Sequence, residues 1–136
     1  MSKYSLSHLS DDELLRSTEK IAAGHRLNLA VMLLHIAEAE ARQLYLPYGS
    51  MYEYCLTELG MDSDDASERI DAARAGRRFP EIIVAVKDGR LHLAAVVLMA
   101  PLLTPEAVAE VIELASYKTE YEVMDLLSRR FPDTFP

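Results

Sequence analysis

A single cysteine, Cys55, no tryptophan and only three phenylalanines occur among 136 residues. One thiol excludes an intrachain disulfide and a cysteine-rich metal site, and suits a reducing cytoplasm, the expected location. Long apolar runs are also missing. The two longest, residues 27–37 and 91–103, are broken by Asn28 and His35 and by His92 and Pro101. Both fall short of the about 20 residues a spanning helix needs, so no membrane partner is expected and core helices are implied. The opening MSKYSLSHLSDDELL holds no apolar signal-peptide core. No segment alternates with period two, and no hairpin dipeptide joins β-branched runs, which argues against a sheet.

The motifs of common chemistries are absent as well. HExxH, CxxC, a phosphate loop, a dinucleotide fingerprint and a nucleophile elbow do not occur. The histidines at 8, 25, 35 and 92 share no ligand spacing with one another or with carboxylates. His35, with Glu38 nearby, reads as a hydrogen-bonded, partly buried side chain. No metal, cofactor or small-molecule ligand is expected, and the chain alone is not expected to be an enzyme.

What is present is helical. Half the residues are apolar and six are proline, a composition for one folded domain spanning 1–136. Ser10 with Glu13 forms a capping box, after which Leu14, Leu15, Ile21 and Ala22 recur at helical spacing. Residues 1–46 read either as a helical hairpin meeting at Gly24 or as one long helix with a weak point there. Residues 27–44 are apolar on nearly every face for about three turns, which predicts a central long apolar helix or half of a subunit interface. Residues 47–131 read as a multi-helix part. Ser50, Asp62 or Ser63, Thr104 and Thr119 are candidate caps, Gly60 a candidate helix end, and Pro80 and Pro105 candidate first-turn prolines. The fold class is therefore all-α, a compact domain of seven or eight helices.

Residues 50–78 have the outline of a helix-turn-helix: a short helix, a turn at Leu59-Gly60-Met61, and a second helix ending in arginines. Residues 62–69 of that second helix would then face the groove. The charge conflicts with a simple reading of this outline. The net charge is −8, and the front of the second helix carries Asp62, Asp64, Asp65, Glu68 and Asp71, which phosphates repel. Only residues 74–90 are basic, with five positive and two negative side chains. The candidate DNA-contacting residues are therefore Arg69, Arg74, Arg77, Arg78 and Arg90; the alternative is that they complement a helix C-terminus and pair with neighbouring carboxylates. Tyr45, Tyr48, Tyr52 and Tyr54 cluster around Pro47, either to pack a helix corner or to stack on bases. The candidate subunit interface comprises Leu27, Val31, Leu34, Tyr45 and Tyr52. The partners expected are DNA through the local basic patch, and a homo-oligomer or another protein.

The segments YGSMYEYC (48–55), AARAGRRFP (72–80), GRLHL (89–93) with APLLTPE (100–106), and KTEYEVMDLL (118–127), with the opening LSDDELL, resemble the helical N-terminal region of bacterial HNH-endonuclease-family proteins. A more distant likeness is to the actinobacterial domain of unknown function 222 that precedes such nucleases. The resemblance covers nearly the whole chain. It implies a helical module in DNA recognition, or in the assembly or regulation of a nucleic-acid-processing complex. The alternative is a homodimerising module, acidic enough to bind a basic partner, with no direct DNA contact. The nuclease chemistry of the family needs a ββα-metal motif with a histidine base, and this sequence offers no strands or ligands to receive it. The chain is thus expected to be a member without the nuclease, or part of a longer protein.

Overall fold

The computed structural model describes residues 3–134, and among them every regular element is helical. Seven α-helices follow in order: α1 (Asp11–Ala41), α2 (Met51–Thr57), α3 (Ser63–Arg78), α4 (Pro80–Lys87), α5 (Leu93–Met99), α6 (Val108–Ala115) and α7 (Glu120–Arg130). Short 3-10 turns at Leu46–Tyr48 and Ala100–Leu102 carry Pro47 and Pro101.

The starts of these helices obey local chemistry. The hydroxyls of Ser10 and Ser50 accept the backbone N–H groups of Glu13 and Glu53, and Asp62 accepts that of Asp65. Thr119 and Glu122 complete a reciprocal capping box at 2.9 and 3.2 Å. Gly60 ends the α2 turn with φ +65, the left-handed conformation glycine adopts without penalty. Residues 104–107 form a turn instead of the first helical turn expected there: Thr104 caps Ala107, and α6 begins only at Val108.

Gly24 does not divide the N-terminal segment. α1 runs through it as one helix of 31 residues, about 46 Å long at 1.5 Å per residue. Yet this long helix is not the central one. Only Ala30, Leu33, Ile36 and Ala37 of α1 are buried, and all of its residues up to Asn28 are exposed. The centre belongs to α3, which packs against α1, α2, α4 and α5. Its buried positions are Ala66, Ile70, Ala72, Ala73, Ala75 and Gly76, which at 100° per residue cover about 220° of its circumference.

The exchange of roles has a steric cause. A helix with neighbours on several sides needs small side chains so that the backbones can approach, and α3 offers alanine and glycine there. A Cβ on Gly76 would lie 2.9 Å from Ile83 Cγ1 of α4. The leucines of residues 27–34 are large and can be covered from one side only. The rest of the core is assembled from Ile82, Val86, Leu91, Val96, Met99, Val111, Val123 and Leu127, all at most 2 % exposed. No buried polar or charged residue occurs among the described residues.

Candidate interaction surface

α2, the turn and α3 follow one another as expected, but α3 turns more than half of its circumference into the bundle. Its solvent-facing arc, at Ser63, Asp64, Ser67, Asp71, Arg74 and Arg78, opens with two carboxylates. A duplex would meet these before it met an arginine.

The candidate DNA-contacting arginines do not converge as free cations. Arg74 donates from Nε and Nη2 to both oxygens of Glu40 on α1, at 2.9 and 2.7 Å. Arg77 reaches Glu38 on the same helix at 2.9 Å, and Arg42 donates to the other oxygen of that carboxylate at 2.8 Å. Arg69 pairs with Asp65 at 3.3 Å, and Arg90 with Asp88 at 3.5 Å. Arg78 donates to the carbonyl of Leu103 at 3.2 Å and lies over the Phe79 ring. The hydrogen bonds from Arg42 and Arg77 hold Glu38 below the usual carboxylate range, and that from Arg74 does the same for Glu40 against an opposing push from burial. The Arg74–Glu40 and Arg77–Glu38 pairs clamp α3 to the last turns of α1.

The candidate interface residues divide into two groups. Leu27, Val31 and Leu34 stand 49, 40 and 50 % exposed on the outer face of α1. Tyr45 and Tyr52 are half-buried against the core instead. Tyr52 shares a 2.7 Å hydrogen bond with Ser63, tying α2 to the start of α3. Tyr48 packs edge-on against Tyr54 with ring centres 5.4 Å apart, and its hydroxyl donates to Glu58, which raises the phenol above its ordinary range. These tyrosines build the corner around Pro47. His92 is the N-cap of α5: Nδ1 accepts from Ala95, and Nε2 donates to the Lys118 carbonyl just before α7. His35 is exposed, with Nδ1 2.8 Å from the Val31 carbonyl, so the half-buried placement expected for it is not seen.

One surface escaped the reading of the sequence. Leu14, Leu15 and Ile21, in the first half of α1, are 39, 62 and 62 % exposed and lie outside the hydrophobic core. The face that Leu14 and Ile21 share, within about 20° of each other at 100° per residue, lines up with a groove beside the second half of the helix. Its floor is Asn28, Val31, Met32, His35 and Ala39 of α1, and its wall is Met51, Tyr54 and Leu59 of the α2 region. The groove runs on to His25 and Met61 at one end and to Arg42 and Leu44 at the other. A helical stripe of leucine and isoleucine was legible as a stripe. Nothing in its spacing told whether the chain itself would cover it.

Other chemistry finds little footing. Among the described residues no group of three or more His, Cys, Asp or Glu side chains is placed to hold a metal ion, and no helix is long and apolar enough to cross a membrane. Cys55 is fully buried, and burial pushes its thiol upward, away from the thiolate. No family model, curated protein or solved structure matches the chain.

Proposed function

We propose that this chain is a non-catalytic helical module of the HNH-endonuclease-associated type, which serves the assembly of a nucleic-acid-processing complex in the cytoplasm. Its working surface is the exposed half of α1 with the adjoining groove. The observation that carries this reading is the state of the arginines. Of the five that could have met phosphate, four are engaged by carboxylates and the fifth by a backbone carbonyl and a ring. A phosphate would have to displace those partners while approaching a chain of net charge −8. The helix that would read bases turns about 220° of its circumference into the bundle, and Asp64 and Asp71 stand on the arc left to solvent. The α1 surface, by contrast, leaves Leu14, Leu15, Ile21 and Val31 open to solvent beside a groove walled by Met51, Tyr54 and Leu59, and exposed apolar area of this kind marks a protein contact.

Fluorescence anisotropy with a labelled duplex tests the choice between assembly and direct DNA contact. Between about 50 and 200 mM salt the assembly reading expects no saturable binding at micromolar protein, and the same flat response from an Arg74→Ala/Arg77→Ala/Arg78→Ala variant. Saturable binding that weakens steeply with salt and disappears in the triple variant would overturn it and return the function to phosphate contact.

A further inference from the structure

We infer that the partner of the α1 surface is a second copy of this chain, bound through an antiparallel pairing of the two α1 helices. This identification rests on the assembly reading above. Four observations point to it.

The first is length. Residues 11–24 of α1 are all exposed and contribute nothing to the core, about 21 Å at 1.5 Å per residue, and the groove from His25 to Arg42 is about 26 Å long on the same scale. The exposed half of one copy fits the groove of the other, and two-fold symmetry makes the fit reciprocal, as an isologous interface requires.

The second is spacing. On the exposed half Leu14, Thr18 and Ile21 fall at alternating intervals of three and four. The same heptad series continues through His25, Asn28, Met32, His35 and Ala39 to Arg42, and each of these last six lines the groove. One surface of α1 therefore carries a single coiled-coil seam, half of it on the exposed segment and half of it forming the floor.

The third is charge. In the register that places the two-fold axis between Arg26 and Leu27, Ile21 lies opposite Met32 of the second copy and Leu14 opposite its Ala39. The ends then match: Asp11, with Asp12 and Glu13 beside it in the first turn, meets Arg42 of the second copy. Arg42 is 67 % exposed and its one ion pair is to Glu38 within its own chain. The pairing also sets each helix N-terminus beside the other's C-terminus, so the dipoles agree. The middle layers, Thr18 opposite His35 and His25 opposite Asn28, are polar. Polar layers weaken a coiled coil and fix its register.

The fourth is stability. The exposed first half of α1 contributes no side chain to the core, so it gains little from packing, which supplies most helical stability in proteins. A second copy supplies that packing.

Sedimentation equilibrium of the whole chain gives the first result. Wild type is expected to move from 15.3 kDa toward twice that mass between about 1 and 100 µM, and Ile21→Asp to weaken association at least tenfold. Ile21 is exposed in the single copy, so an unchanged thermal midpoint for Ile21→Asp at low concentration shows that its fold is intact. Cysteine pairs then test the register. Ile21→Cys/Met32→Cys should oxidise to a covalent dimer, and Ile21→Cys/Ala39→Cys, a heptad out of register, should not. A wild type that stays monomeric overturns self-pairing while leaving assembly through α1 with a different partner. A dimer that survives both Ile21→Asp and Leu14→Asp overturns the α1 surface itself, and with it the assembly reading. Cross-linking only in the shifted pair overturns the register.

Discussion

Arg74 and Glu40 meet through two parallel hydrogen bonds across 34 positions of sequence, the strongest geometry available to a guanidinium and a carboxylate. Glu40 is only 26 % exposed, so this contact is less screened than an ordinary surface pair. Its consequence is a pH dependence with a definite sign. The folded chain holds Glu40 below its ordinary value of 4.5, so the unfolded chain binds the proton more readily. The stabilisation is present above pH 4.5 and is lost as the pH falls through the lower, folded value. Urea unfolding at several pH values should therefore show a shallower acid decline for Glu40→Gln than for wild type. The two variants should converge at the acid end, where Glu40 is protonated. An unchanged slope for Glu40→Gln would mean that the Arg74 contact contributes nothing in solution.

At the scale of elements, α1 shows how burial depends on which face a neighbour covers. Leu33 and Leu34 are adjacent and chemically identical, yet Leu33 is 0 % and Leu34 50 % exposed. Leu33→Ala should cost about 2–5 kcal/mol through lost burial and a cavity, whereas Leu34→Ala should stay within about 0.5 kcal/mol. Chemical denaturation at low protein concentration measures both, and equal costs would mean that α1 is surrounded after all. The sequence made much of this helix legible: its cap at Ser10, the absence of a stop at Gly24 as one of two readings, and the apolar band of residues 27–34 all come from local chemistry. It did not reveal that the band would stay half open, because periodicity defines a face without saying what lies against it. The same limit hid the role of α3. Its alanines and Gly76 carry little hydrophobic signal one by one, and their value appears only when several helices need to come close. The arginine cluster was legible as a cluster. Its partners Glu38 and Glu40 lie more than thirty positions away, and only the packing of α3 on α1 brings them together.

For the molecule as a whole, α1 divides into a half that belongs to the bundle and a half that does not. The hydrophobic core draws on residues from Leu29 and Ala30 through Phe131, and none of residues 11–28 is buried. The bundle should therefore fold without the exposed segment. Removing residues 1–22 deletes the Ser10 cap and the exposed side chains of Tyr4, Leu6, Leu14, Leu15 and Ile21, none of them part of the core. The cap is worth about 1 kcal/mol to the helix it starts, and fraying of the new first turn confines that cost to the exposed end. Urea denaturation of the shortened chain at low concentration should give a stability within about 1 kcal/mol of the full chain and a similar dependence on denaturant, because that slope follows the surface exposed on unfolding. The same deletion removes the exposed half of the α1 seam, so the shortened chain should sediment as a monomer where the full chain associates. A loss of several kcal/mol would mean that the segment folds back on its own bundle, and the surface assigned to a partner would then be part of the core.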